Sequence, residues 1–70
     1  MTKGEALQLR GKLFVQKREA LQIMGNVQLL KRQYSRDDTG IHTTLQDVVD
    51  HQADAVSSIE TCLQVLEGII

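Results

Sequence analysis

The sequence predicts an all-α protein, an antiparallel two-helix hairpin that dimerises into a four-helix bundle. Apolar residues recur at alternating intervals of three and four in two stretches of similar length. A single cluster of turn-forming residues separates the two stretches, and the sign of the charge reverses at the same point. We expect all 70 residues to form one domain.

The first helix is predicted over residues about 5–34. Its main apolar row, which we call the first-helix seam, holds Ala6, Leu9, Leu13, Gln16, Ala20, Ile23, Val27, Leu30 and Tyr34. Alternation of three and four is typical of helices that pack lengthwise against other helices.

A second row on this helix lies about 100° from the seam. It consists of Leu7, Gly11, Phe14, Arg18, Leu21 and Gly25. Its glycines either let a neighbouring backbone approach, or are exposed and tolerated at a cost of about 1 kcal/mol each. Between the two rows runs a basic stripe of Lys3, Arg10, Lys17, Met24 and Lys31. We expect its aliphatic stems to lie on the core while the charged ends reach water.

The turn is predicted over residues about 35–42, because Ser, Asp, Thr and Gly cluster there. Thr43 and Gln46 match a capping box, which predicts that the second helix begins at about residue 43. A start at Asp38 or Thr39 remains open.

The second helix is predicted over residues about 43–69. Its second-helix seam holds Ile41, Leu45, Val48, Gln52, Ala55, Ile59, Cys62, Leu66 and Ile69. A flanking row adds Val49, Val56, Leu63 and Ile70. The apolar face is therefore broader than contact with one other helix requires.

Charge divides at the turn. The first 36 residues hold all eight Lys and Arg against Glu5 and Glu19, a net charge of +6, whereas the remainder holds seven acidic residues and no basic ones. The opposite net charges of the two helices favour the hairpin, although exposed ion pairs contribute only about 0–1 kcal/mol each. One hairpin cannot cover two broad apolar faces, so we expect a second copy or the helices of another protein to complete the core.

Polar and reactive residues give little support for catalysis. No nucleophile, P-loop or zinc motif is present, and His51 and Cys62 are about three turns apart. Cys62 lies on the second-helix seam and is expected to be a buried apolar residue. Asp47, Asp50, His51 and Asp54 offer a poor ligand set for a metal. We predict no enzyme, no metal site and no cofactor.

Gln16 and Gln52 interrupt the two seams. Buried at such positions, glutamine can fix register and oligomeric state. At the edge of the seam, its amide would instead lie in water.

The sequence favours a non-catalytic interaction, adaptor or regulatory protein. We expect it in the cytoplasm, because a lone cysteine fits a reducing compartment. The alternative is an RNA-binding regulator that uses the basic first helix. The architecture resembles that of plasmid copy-number control proteins of the Rop type, which bind RNA, but a shared bundle plan carries no function. Two separated apolar rows suit helix neighbours better than a membrane surface.

Two sets of candidate residues follow from these patterns. The set predicted for assembly is Leu9, Leu13, Ile23, Val27, Leu30, Leu45, Val48, Ile59, Leu63 and Leu66. The exposed set predicted for partner contact is Lys12, Arg18, Arg32, Asp47, Asp50 and Asp54.

Overall fold

The computed structural model describes residues 1–34 and 40–70. Within these ranges the chain forms two α-helices, α1 over Lys3–Gln33 and α2 over Ile41–Glu67. The helices pack against each other in a rod of 52 × 14 × 11 Å. The prediction of two packed helices is confirmed. Most of the predicted turn, with the alternative starts at Asp38 and Thr39, lies outside the described residues.

A capping box sets the start of α1. The Thr2 hydroxyl accepts a hydrogen bond from the Glu5 backbone N–H, and the Glu5 carboxylate accepts one from the Thr2 backbone N–H, both at 3.1 Å. Hydrogen bonds from the Thr2 backbone, and then from its side chain, lower the pKa of Glu5. Because Thr2 caps the helix, α1 begins at Lys3, two residues before the predicted position.

A glycine sets the start of α2. Gly40 has a φ of 82°, in the left-handed region, and its carbonyl accepts a hydrogen bond from the Thr44 N–H at 3.1 Å. The helix therefore begins at Ile41, and the capping box predicted at Thr43 is not formed. The Gln46 side chain instead donates to Asp50 at 2.8 Å.

The side of α1 that faces α2 combines half of the first-helix seam with the basic stripe. Ala6, Ala20 and Val27 are buried. The side chains of Arg10, Lys17, Met24 and Lys31 are half-buried beside them. The basic stripe thus packs its stems against α2, as predicted, except at exposed Lys3.

The side of α2 that faces α1 is rotated relative to the predicted seam. Five of the nine seam residues and the whole flanking row are buried or half-buried: Ile41, Leu45, Gln52, Ile59, Leu66, Val49, Val56, Leu63 and Ile70. Cys62, in the other half of the seam, is exposed, so the prediction that it is buried is wrong. The half-buried stems of the basic stripe and the flanking row of α2 share the contact, so the row of Cys62 lies outside it.

The core of this hairpin is thin. Among residues 1–34 and 40–70, the buried side chains are Ala6, Ala20, Val27, Val49 and Leu66, and no large side chain is fully buried. A single core in so small a chain contributes only a few kcal/mol of stability.

Candidate interaction surface

The other halves of the two seams lie together on one side of the hairpin. We call this side the open apolar face. It consists of Leu9, Gln16, Ile23 and Leu30 from α1 and Val48, Ala55, Cys62 and Ile69 from α2. Seven-residue spacing keeps each set in one straight row along its helix, at the edge of the contact between the helices. The surface contains no charged residue.

Large side chains on the open apolar face remain in contact with water. Ile23 and Leu30 are each 41% exposed, Val48 is 37% exposed and Ile69 is 42% exposed. Isolated exposed apolar residues are ordinary, whereas several exposed apolar residues along one side of a helix pair make that side a candidate interaction surface.

A groove at the end of the hairpin near the chain termini joins the two rows. Leu9 from α1 and Cys62, Leu66 and Ile69 from α2 line its walls, together with Met1, Thr61 and Val65. Because Leu9 lines this groove together with Cys62 and Ile69, the two rows lie on the same side of the molecule at this end.

The opposite side, which we call the ion-paired face, carries the basic stripe and its partners. Arg10 lies 3.9 Å from Glu67, and Lys17 lies 3.3 Å from Glu60. The ammonium group of Lys31 donates a hydrogen bond to the side-chain oxygen of Gln46. Along α1 the three cations follow one another at intervals of seven and fourteen residues. Their partners lie at the same intervals along α2, but with falling residue numbers. This order establishes that the helices are antiparallel.

Sequence reasoning missed these three pairs, although the signal was present. The basic stripe has heptad spacing, and Gln46, Glu60 and Glu67 share one heptad position on α2. Two such rows on antiparallel helices meet along their whole length.

A further apolar row borders the ion-paired face. Leu7, Phe14 and Leu21, from the predicted second row, are 42%, 49% and 48% exposed. A Cβ added at Gly11 or Gly25 would meet no atom within 4 Å. Within the hairpin, these glycines therefore do not admit a neighbouring backbone.

The residues predicted for assembly divide between the helix contact and the open apolar face. Val27 and Leu66 are buried, and Leu13, Leu45, Ile59 and Leu63 are half-buried. The remaining members, half-buried Leu9 and exposed Ile23, Leu30 and Val48, belong to the open apolar face.

The six residues predicted for partner contact are all exposed but form no single cluster. Helical spacing places Asp47, Asp50 and Asp54 on the side of α2 directed away from α1. Lys12 and Arg18 lie on the outer sides of α1, while Arg32 lines a shallow pocket with Gln28, Lys31 and His42.

In the described ranges, no group of three or more His, Cys, Asp or Glu side chains could hold a metal ion. Neither α1 nor α2 is long and apolar enough to cross a membrane.

Comparison with protein-family models, curated proteins and solved structures gives no match.

Proposed function

We propose that this chain is a small, non-catalytic interaction or adaptor protein with a regulatory role, and that it acts by presenting its open apolar face to other helices. The observation that supports the proposal is the exposure of Ile23, Leu30, Val48 and Ile69 along one uncharged strip. The simplest occupant of that strip is a second copy, which would complete a four-helix bundle as a homodimer.

The open apolar face is long enough for a specific dimer, because its two rows run along a hairpin whose Cα atoms extend over 52 Å. A stable interface takes roughly 800 Å² from each partner, which requires most of this side of the hairpin. Covering it would also supply apolar burial that the thin core of one hairpin lacks.

Cys62 is the one cysteine of the sequence and is a free thiol, which supports the cytoplasm as the compartment. A free cysteine fits a compartment in which thiols are kept reduced.

Sedimentation equilibrium at micromolar concentration, in low and high salt, tests the proposal. The unmodified chain should be a dimer at both salt concentrations, because apolar contacts are not screened. Ile23→Glu should yield monomers, because it places a charge on the open apolar face. Leu21→Glu is the matched control: it lies on the same helix at similar exposure, on another side, and should remain a dimer. Dissociation of both variants, or of neither, would contradict this surface as the interface.

RNA binding is the second candidate function, and one observation favours it. Among residues 1–34 and 40–70, no carboxylate lines the pocket formed by Gln28, Lys31, Arg32 and His42, and Lys31 hydrogen-bonds to the neutral side chain of Gln46. Elsewhere on α1, Arg10 and Lys17 are paired with carboxylates, which weakens their attraction for phosphate.

Fluorescence anisotropy with an RNA hairpin and a DNA duplex, at 50 and 200 mM salt, tests this candidate. Binding that falls steeply with salt and is weakened by Lys31→Gln, but not by Lys12→Gln, would support it. Absence of binding at 50 mM salt would contradict it.

A further inference from the structure

We propose that the second copy lies on the open apolar face with its turn at the same end as the turn of the first copy, so that each α1 faces α2 of the other copy. This inference rests on the proposed self-association and specifies its geometry. The competing arrangement places the turns at opposite ends, so that α1 faces α1 and α2 faces α2. Two features of the hairpin distinguish these arrangements.

The open apolar face consists of four layers, each with one residue from each helix. The layers are Leu9 with Ile69, Gln16 with Cys62, Ile23 with Ala55, and Leu30 with Val48. Their pairing follows from the antiparallel order of Arg10–Glu67, Lys17–Glu60 and Lys31–Gln46 on the other face. The groove that contains Leu9, Cys62 and Ile69 supports it at the terminal end.

The polar layer is not at the centre of this series. Gln16 and Cys62 form the second layer counted from the chain termini, and the other three layers are apolar. The position of the polar layer therefore changes what Gln16 would meet when one copy is reversed.

With both turns at the same end, a two-fold axis along the hairpin keeps each layer at its own level. Gln16 then shares one layer with Cys62 and Gln16 of the second copy, and the two amides can hydrogen-bond to each other across the centre of the bundle. With the turns at opposite ends, Gln16 instead meets the layer of Ile23 and Ala55. Its amide would be buried there without a partner of its own kind, which is unfavourable.

The charge of the helices favours the same arrangement. Within their observed bounds, α1 carries seven basic residues and two acidic ones, whereas α2 carries five acidic residues and no basic one. With the turns at the same end, both nearest neighbours of every helix carry the opposite sign. With the turns at opposite ends, each helix has one neighbour of its own sign, at about 10 Å, close to the Debye length in 0.1 M salt.

Distances between nitroxide labels, measured by double electron–electron resonance, distinguish the two arrangements. Two variants are made in a Cys62→Ala background, each with one labelling site. The first carries the label at Thr43→Cys, near the turn, and the second carries it at Ser57→Cys, near the middle of the layers. Both positions are exposed and occupy the same side of α2, two heptads apart, so their distances across the bundle match. Sedimentation equilibrium confirms that both labelled proteins remain dimers.

The two labels give different distances only if one copy is reversed. Thr43 lies about 15 residues from the middle of the layers, so reversal separates its two labels along the bundle by about 46 Å, compared with about 5 Å for Ser57. We expect similar distances at both sites, which would support turns at the same end. A short distance at Ser57 with a long one at Thr43 would overturn the proposed orientation but keep self-association. No dipolar signal at either site, with monomeric protein, would overturn both.

Discussion

The ammonium nitrogen of Lys17 lies 3.3 Å from the carboxylate of Glu60, across the contact between α1 and α2. Lys17 is half-buried because its stem packs on α2, and only its charged end reaches the carboxylate at the edge. The pair and its neighbour Arg10–Glu67 place the charges that join the helices on one side of the hairpin. The other side is left uncharged and open.

Charge reversal should show that Lys17 and Glu60 act as a pair. Lys17→Glu or Glu60→Lys alone should lower the free energy of unfolding by up to about 1 kcal/mol, and the double swap should recover most of the loss. Urea unfolding at fixed protein concentration, in 20 and 500 mM NaCl, measures the coupling. The coupling should shrink at the higher salt, and coupling that ignores salt would contradict an exposed ion pair.

Two glycine-to-alanine substitutions should have opposite effects. Gly40→Ala should lower the free energy of unfolding by about 1 kcal/mol or more, because Gly40 has a left-handed backbone conformation. Gly25→Ala should raise it by about 0.5–1 kcal/mol, because Gly25 lies inside α1 with open space around it. Thermal and urea unfolding measure both. A destabilising Gly25→Ala would instead indicate that another chain contacts this side of α1.

The capping box should make helix stability depend on acid. Because its pKa is lowered in the folded chain, Glu5 contributes stability that is present above its unfolded pKa and is lost as the pH falls through the folded pKa. Glu5→Gln should therefore lose less of its free energy of unfolding on acidification than the unmodified chain does. Glu19→Gln is the control: Glu19 has no capping role, so this variant should lose more than Glu5→Gln. Circular dichroism during urea unfolding between pH 6 and pH 2.5 measures this difference. Identical pH profiles for Glu5→Gln and the unmodified chain would contradict it.

Replacing Gln16 in the polar layer should strengthen dimerisation and make the orientation of the two copies less specific. In Gln16→Leu an apolar side chain replaces the amide on the open apolar face, so we expect the dimer to tighten by about tenfold, or about 1.4 kcal/mol. The label at Thr43 should then report a mixture of short and long distances. A single unchanged distance would show that charge alone fixes the orientation.

Periodicity predicted both helices, each beginning and ending within two residues of its observed bounds. It could not predict which half of each seam faces the other helix, because spacing of three and four defines a broad side rather than a rotation angle. Cys62 illustrates the limit. The half-buried stems of Lys17 and Arg10 share the helix contact with the flanking row of α2, and Cys62 is left on the open apolar face.

The helix starts show why short motifs are ambiguous. Thr2 and Glu5 have the same spacing as Thr43 and Gln46, but only the first pair forms a capping box. At the second site Gly40 begins the helix earlier, and the side chain of Gln46 bonds to Lys31 and Asp50 instead. The contact with Lys31 is a tertiary contact, which cannot be inferred from local spacing.

The reactivity of Cys62 with a thiol reagent tests most directly whether a second copy covers the open apolar face. Cys62 is the only cysteine and is exposed in a single hairpin. We predict that its modification by a disulfide reagent slows as protein concentration rises through the dimerisation range, and that Ile23→Glu restores the fast rate. A rate that stays fast at every concentration, in a protein that sediments as a dimer, would contradict the account.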